Sequence, residues 1–261
     1  TTEIYTLSLH DALPISGPNL NHLFIGSEGV FGIITRATIR VFRLPESQVF
    51  DTASFDTFDQ GFDAAVDLTA LGIRPSLLDL TEDEAGIRLH LLFEGYREGV
   101  AADVQRAKDI AARFGGSDIG PGPTMEYWRD RRQSADRYKA EALGQPRSVR
   151  WNRWGGRSFD YLHMAMPISK VLDYRRRCDQ IMDGTGVMVS EYSLWSRPEL
   201  FSMLLRADTD DMEKFRDNLG RVVEPVLTLA QAMGGIMEYC HGRSEERRGG
   251  EECRSRWSPY H

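Results

Sequence analysis

The order in which strand-like and helix-like stretches follow one another constrains this chain more than any single motif. Between about residues 48 and 114 the pattern reads strand, helix, strand, strand, helix. Gln48–Phe55 reads as a strand and Phe58–Leu71 as an amphipathic helix. Strands follow at Ser76–Leu80 and Arg88–Glu94, where Leu89, Leu91 and Phe93 alternate with His90, Leu92 and Glu94. Val100, Val104, Ala107, Ala111 and Phe114 then share one face of a helix over Glu98–Phe114, which Gly115-Gly116 ends. Between about residues 158 and 233 the same order returns. A strand covers Phe159–Met166, Ser169 is placed to cap a helix to Met182, and strands cover Val187–Trp195 and Leu200–Arg206. A long helix starts at Asp210, Pro225 should kink or split it, and Gly234-Gly235 ends it before a short strand, Ile236–Tyr239.

The expected fold class is therefore α+β. Two ferredoxin-like βαββα units share one antiparallel sheet, with helices on one face. The halves show no evident sequence identity, so the repeat is one of structure. Between them lie a Pro121-Gly122-Pro123 linker, a charged helix over Met125–Leu143 and a basic, aromatic ordered loop over Gln145–Arg157. Ahead of them, Gly26-Ser27-Glu28-Gly29 reads as a tight turn, and Ile33, Ile34, Ala37, Ile39, Val41 and Phe42 as a strand ending at Pro45.

The two ends read differently from the rest. Thr1 to Ile15 and Arg243 to His261 resemble translations of one sequencing-adapter oligonucleotide, the first of one strand and the second of its reverse complement. Such segments are set aside in fold reasoning. The expected native stretch is Gly17–Gly242, an internal piece of a longer protein, with residues 1–16 and 243–261 adapter-derived. Of 32 basic and 39 acidic residues, five arginines and four glutamates lie in the last segment, and Glu3 and Asp11 in the first. The remaining net charge is about −6 against −7 for the whole, which speaks against a nucleic-acid partner. No apolar run reaches the ~18 residues that span a bilayer. Three cysteines make no disulfide framework, and no His/Cys/Asp cluster has metal-ligand spacing. A cytoplasmic location is expected.

Three stretches carry candidate chemistry. Gly26, Gly29 and Gly32 permit positive φ and close approach of backbone N–H groups to a ligand, or form a plain hairpin turn. Arg132, four residues after Trp128, suits an anionic carboxylate or phosphate through its planar fork, or pairs with Asp136 on a solvated helix face. His241 follows Gly234-Gly235 and can exchange a proton near neutral pH, or be structural. Glu191, Tyr192 and Trp195 lie on a central strand. Trp151-Asn152-Arg153-Trp154 reads as cover for the edge of the core or as pocket lining. Cys178 sits on an apolar helix face and reads as packed and inert.

The stretch NHLFIGSEGVFGIITRATIRVFRLP resembles the end of the flavin domain in FAD-linked oxidases of the vanillyl-alcohol oxidase/p-cresol methylhydroxylase superfamily. It keeps Gly26, Ser27, Glu28, Gly29, Gly32, Ile34, Thr35, Ala37, Thr38 and Arg40 of the pattern, with Val30 and Phe31 in place of Thr and Leu. Gly234 to Gly242 resembles the family's G-G-x-x-x-x-x-H-G, and Trp128 to Arg132 its W-x-x-x-R. The resemblance implies that residues 17–46 end an FAD-binding domain and that 47–242 form the C-terminal cap, or substrate, domain. It implies FAD as cofactor, held on the side of Gly26, Ser27, Glu28, Gly29, Val30, Phe31, Gly32 and Ile34. His241 would be catalytic, and Arg132 and Glu191 would bind substrate. The implied activity is that of an FAD-dependent oxidoreductase taking a hydride from a hydroxylated organic substrate, with the fragment alone inactive. Its partners would be a small-molecule substrate, the missing N-terminal FAD domain of the same chain and, in a possible homodimer, a second copy. One alternative is the reaction of the subfamily that includes alkyl-dihydroxyacetone-phosphate synthase. That group has three consecutive histidines where this chain has Tyr239, Cys240 and His241, and a tyrosine where it has Leu200-Phe201. Another alternative is a non-catalytic ferredoxin-like small-molecule-binding module.

Overall fold

The computed structural model describes residues 20–25, 27, 29–39, 41, 43–138, 140, 144–146, 159–207 and 212–237, apart from the side chains of 22, 131–135, 137–138, 159–160, 207, 212–213, 215–216 and 237. The strands are β1 (Ser47–Phe55), β2 (Leu77–Asp83), β3 (Gly86–Gly95), β4 (Ser117–Asp118), β5 (Phe159–Ala165), β6 (Val187–Trp195), β7 (Leu200–Ala207) and β8 (Ile236–Met237). The helices are α1 (Asn21–Phe24), α2 (Phe58–Ala70), α3 (Arg97–Arg113), α4 (Gly122–Tyr138), α5 (Val171–Met182) and α6 (Met212–Ala232).

The strands form one eight-stranded sheet in the order β4-β1-β3-β2-β6-β7-β5-β8, and every pairing is antiparallel. Each half runs β-α-β-β-α-β, and its last strand pairs with its first. The halves are arranged about the β2–β6 pair, where Asp79 lies opposite Trp195 and Thr81 opposite Ser193. The expected repeat is thus present, with a two-residue strand closing each unit.

Alternation assigns the two faces. Leu78, Leu80, Leu89, Leu91, Phe93, Leu162, Met164, Leu194, Phe201 and Met203 point to one side and join the core of α2, α3, α5 and α6. A capping box at Thr57 and Gln60 starts α2, and Phe58, Phe62 and Leu68 bury its inner face. The helices end alike. Gly115 and Gly234 adopt φ of +83° and +85°, and the N–H groups of Gly116 and Gly235 donate to Ala111 and Ala230 carbonyls at 2.8 Å.

The structure corrects several local expectations. Among the described residues of 32–45 there is no strand; Ile33, Ile39 and Val41 are exposed and pair in no sheet. Strand propensity there has no neighbouring strand to satisfy it. Ser169 does not cap α5; it lies in a 3₁₀ turn, Ile168–Lys170, and Lys170 holds the cap position without a side-chain bond. Pro225 does not split α6, which runs unbroken because Val222, Val226 and Ala230 are fully buried against the core. The Pro121-Gly122-Pro123 linker is the start of α4, where a first-turn proline is tolerated. Helices α2, α3, α5 and α6 lie on one face, and α4 packs on the other, against β1 and β3. Among the described residues no helix is long and apolar enough to cross a membrane.

Candidate functional site

The face that α2, α3, α5 and α6 leave uncovered carries the polar side chains of the central strands. Register places Ser193 of β6 beside Ser202 of β7 and Ser202 beside His163 of β5. All three are fully buried. His163 Nδ1 and Ser202 Oγ are 2.7 Å apart. Two residues along β5, the Tyr161 hydroxyl donates to Glu191 Oε1 at 2.6 Å, reaching across β7 to β6. The Tyr161 and His163 rings stack with centroids 4.8 Å apart and planes 6° from parallel. Trp195 tilts against both, at 5.6 Å and 4.9 Å. Glu191 lies on this face by simple alternation with Ser193 and Trp195, and the bulge between Val189 and Glu191 is what turns Val189 to the helix side, opposite Leu205.

The other half of this face is closed by α4. Thr124 donates its hydroxyl to the Asp51 carbonyl at 2.8 Å, so His90 Nδ1, 2.9 Å away, is the donor of the pair. Tyr127 stacks on the His90 ring at 4.3 Å and donates to Asp79 Oδ2 at 2.9 Å. Burial pushes the His90 imidazole down to about 4, Arg88 acts in the same direction, and Asp83 opposes it. The other oxygen of Asp79 accepts the Ser196 N–H at 3.0 Å, and Ser196 holds φ of +67° in the turn after Trp195. Asp79 thus fastens α4 to the turn beside the aromatic cluster.

Of the residues singled out in the sequence, Glu191 and Trp195 belong to this face. Tyr192 faces the helices, where it donates to Asp179. Arg132 stands in α4 one turn beyond Trp128, whose ring packs on Phe50; the side chain of Arg132 lies outside the described residues. Ser27, Gly29, Val30, Phe31, Gly32 and Ile34 form a turn after α1. Ser27 N–H and Oγ both bond the Phe24 carbonyl, and Val30 N–H bonds that of Ser27. Gly29 has φ of +83° and Gly32 of +156°, while Val30, Phe31, Ile33 and Ile34 are exposed. Among the described residues no hydrogen bond joins this turn to the sheet. Gly26, Glu28, Trp151–Trp154 and His241 lie outside the described residues, as do both adapter-like ends.

Sequence reasoning passed over Tyr161, His163, Ser193 and Ser202. The signal was present, since each alternates with core residues: Tyr161 and His163 with Leu162 and Met164, Ser202 with Phe201 and Met203. What was missing is which side the helices take. Cys178 is fully buried, and burial pushes its thiol up to about 12, so it is a packed, unreactive group. Among the described residues no three His, Cys, Asp or Glu side chains are placed to hold a metal ion. A surface pocket lined by Asp179, Met182, Asp183, Val187 and Val189 lies at the end of α5 and contains none of Tyr161, His163, Glu191, Trp195 or Ser202.

No protein-family model matches the chain. A probable mitochondrial D-lactate dehydrogenase of Danio rerio is 31% identical over 118 residues, which are 40% of this chain and 24% of that protein. The glycolate oxidase subunit GlcD of Escherichia coli is 30% identical over 145 residues, 48% of this chain and 29% of that protein. Two crystal forms of alkyldihydroxyacetonephosphate synthase share the fold, with TM-scores of 0.62 and 0.63 at 14% identity, over 84% and 86% of this chain and 45% and 46% of theirs. The chain therefore spans less than half the length of each of these proteins. Relatives in sequence and neighbours in fold agree with the motif resemblance, and the chain fits the FAD-linked oxidase superfamily.

Proposed function

We propose that the chain is the substrate-binding part of an FAD-dependent oxidoreductase that oxidises a hydroxylated organic molecule, with residues 17–46 ending the FAD-binding domain and 47–242 forming the cap. The observation that carries this reading is the sheet face opposite α2, α3, α5 and α6, where Tyr161, His163, Glu191, Trp195 and Ser202 converge, in a chain related to a D-lactate dehydrogenase and a glycolate oxidase subunit. The turn at Gly29–Ile34 fits a flavin in kind. Its glycines leave backbone open to approach, with nothing within 4 Å of a Cβ built on Gly29, and its exposed apolar side chains suit a ring surface. FAD would be held there and, when bound, supplies the hydride acceptor.

The chain's own residues do the rest. A substrate hydroxyl brought to Glu191 and the Tyr161 oxygen would meet acceptors there, while the Trp195 and Tyr161 rings exclude water on one side. Its proton leaves to a base as the carbinol hydrogen leaves as hydride; His241, four residues beyond the end of β8, is proposed for that role. Arg132 is proposed to orient an anionic group from α4. The synthase reaction is less well supported: where the synthases carry a tyrosine this chain has Leu200-Phe201, and neither side chain has a hydroxyl to offer.

The test is expression of the complete source reading frame. FAD should co-purify, and its visible absorbance should bleach anaerobically on adding an oxidisable alcohol or hydroxy acid. Absence of bound flavin would favour the non-catalytic binding module, and turnover without flavin reduction at any stage would favour a redox-neutral transfer.

A further inference from the structure

Strand register lines up one row of side chains on the polar face across both halves of the sheet. Thr52 of β1 lies opposite His90 of β3, His90 opposite Asp79 of β2, and Asp79 opposite Trp195 of β6. Helix α4 is fastened to the first three. Thr124 Oγ1 lies 2.7 Å from Thr52 Oγ1 and 2.9 Å from His90 Nδ1. Tyr127 stacks on His90 and donates to Asp79 Oδ2 at 2.9 Å.

Asp79 stands out in this row. The sequence Leu77-Leu78-Asp79-Leu80 sets a carboxyl group among leucines, and it is fully buried. A buried carboxylate is ordinarily kept only where its oxygens are bonded. Here Oδ2 takes the Tyr127 hydroxyl and Oδ1 the Ser196 N–H at 3.0 Å. That N–H is shared with the Leu78 carbonyl at 2.7 Å, so Asp79 is the second acceptor of a three-centre bond. Ser196, at φ of +67°, is the one non-glycine residue with positive φ among the described residues. Such a backbone costs energy and persists where its surroundings hold it. Trp195, the residue before it, tilts against the Tyr161 and His163 rings.

We infer that Asp79 is a positioning residue: it holds the Ser196 turn, and with it Trp195, at a place set by α4. The path runs through two hydrogen bonds, from the Tyr127 hydroxyl to the carboxylate and from the carboxylate to the turn. Its consequence rests on the function proposed above, because it joins two walls of one site. Helix α4 carries Arg132, proposed to orient an anionic group. Trp195 stands in the aromatic cluster that Tyr161 ties to Glu191. A shift of α4 on engaging an anion is felt at Trp195, and a substrate that seats Trp195 favours the matching place for α4, since such coupling is reciprocal.

The test incorporates 5-fluorotryptophan into the chain and follows the fluorine NMR line of Trp195, assigned with Trp195→Phe. Tyr127→Phe deletes one hydroxyl on α4 and keeps the ring that stacks on His90. It should move the Trp195 line by more than its width. In an Asp79→Ala background the same substitution should leave that line in place, because the path is already cut. In an Asp79→Asn background the response should return, since the amide oxygen still accepts and the amide group can donate to the Tyr127 oxygen. A merely structural role for Asp79 would not make the effect of Tyr127→Phe depend on residue 79 in this way. Far-UV circular dichroism checks that each variant is folded; if Asp79→Ala is not, Tyr127→Phe in the wild-type and Asp79→Asn chains decides. A Trp195 line that Tyr127→Phe leaves unmoved would overturn the assignment, and so would an equal shift in the Asp79→Ala background. Since the experiment needs no flavin, its failure leaves the FAD reading standing, and a flavin-free full-length protein leaves the coupling standing.

Discussion

Arg175 of α5 and Glu82 of β2 face each other across the seam between the two halves, with Nη2 2.8 Å from Oε2 and 3.0 Å from Oε1. The guanidinium carbon also lies 4.2 Å from the Tyr192 ring centre and 4.5 Å from that of Phe58. One side chain of the second half therefore touches a strand and a helix of the first. Both partners are largely out of water, so the tie is worth more than a surface pair. Arg175→Ala should lower the unfolding free energy by ~2–3 kcal/mol, since it leaves Glu82 without its cation. Arg175→Lys should fall between, keeping charge but losing the planar fork. Urea titration reads both, and a loss under ~0.5 kcal/mol for the alanine variant would show that the seam does not depend on this pair.

The pH dependence of stability should carry the mark of His90. Burial holds its folded-state value at about 4 against an ordinary 6.5. Between those values the unfolded chain binds a proton that the folded chain refuses, so stability rises with pH across that window and falls as pH drops through it. The limit of this contribution is ~3 kcal/mol. His90→Gln keeps a donor for Thr124 and removes the titration. The wild-type chain should lose more stability than this variant between pH 7 and about pH 4.5. Parallel curves would show that His90 titrates normally.

Much of this was legible because alternation reports both faces of a strand at once. In β3, Leu89, Leu91 and Phe93 join the helix-side core, and His90 and Leu92 face the other way, as their spacing implies. The stretch after Gly32 was misread for a physical reason: β-branched residues state a preference, whereas a strand also needs a partner. The polar face was only partly legible. Glu191 follows the alternation of Ser193 and Trp195, whereas Tyr161, His163 and Ser202 meet across two strands whose register no local pattern encodes.

The two glycine pairs that end α3 and α6 make opposed predictions from their φ alone and from their surroundings. Gly116 and Gly235 have no positive φ, so backbone strain does not require glycine at either. Yet a Cβ on Gly116 would stand 2.6 Å from Phe55 and 2.9 Å from the Ala111 carbonyl. On Gly235 it would stand 2.2 Å from the Met166 sulfur and 3.0 Å from the Ala230 carbonyl. Alanine at either should cost ~1–3 kcal/mol, with the cost at Gly235 softened as far as flexible Met166 can move. Thermal melts of the two single variants check this; wild-type behaviour of both would mean the sheet and helix ends sit farther apart.

Cys178 should be silent toward thiol reagents until the chain unfolds. It is fully buried, and only a small thiolate fraction exists at neutral pH when burial lifts the thiol to about 12. In a Cys240→Ser, Cys253→Ser background, labelling with a disulfide-exchange reagent should proceed at the unfolding rate and accelerate sharply in urea. Fast labelling in native buffer would place Cys178 at the surface.

The last prediction concerns flavin and this chain by itself. The turn at Gly29–Ile34 offers an open backbone and a strip of exposed apolar side chains, which on the proposed reading would be one wall of a cofactor site. Tight cofactor binding needs most of the ligand surface covered, and one wall covers too little. Mixed with FAD and passed over a desalting column, the chain should retain well under one flavin per molecule, and added FAD should leave its melting temperature unchanged. Retention at one-to-one stoichiometry would mean that this wall and the polar sheet face close on the flavin unaided, and the division of labour with an N-terminal FAD domain would be wrong.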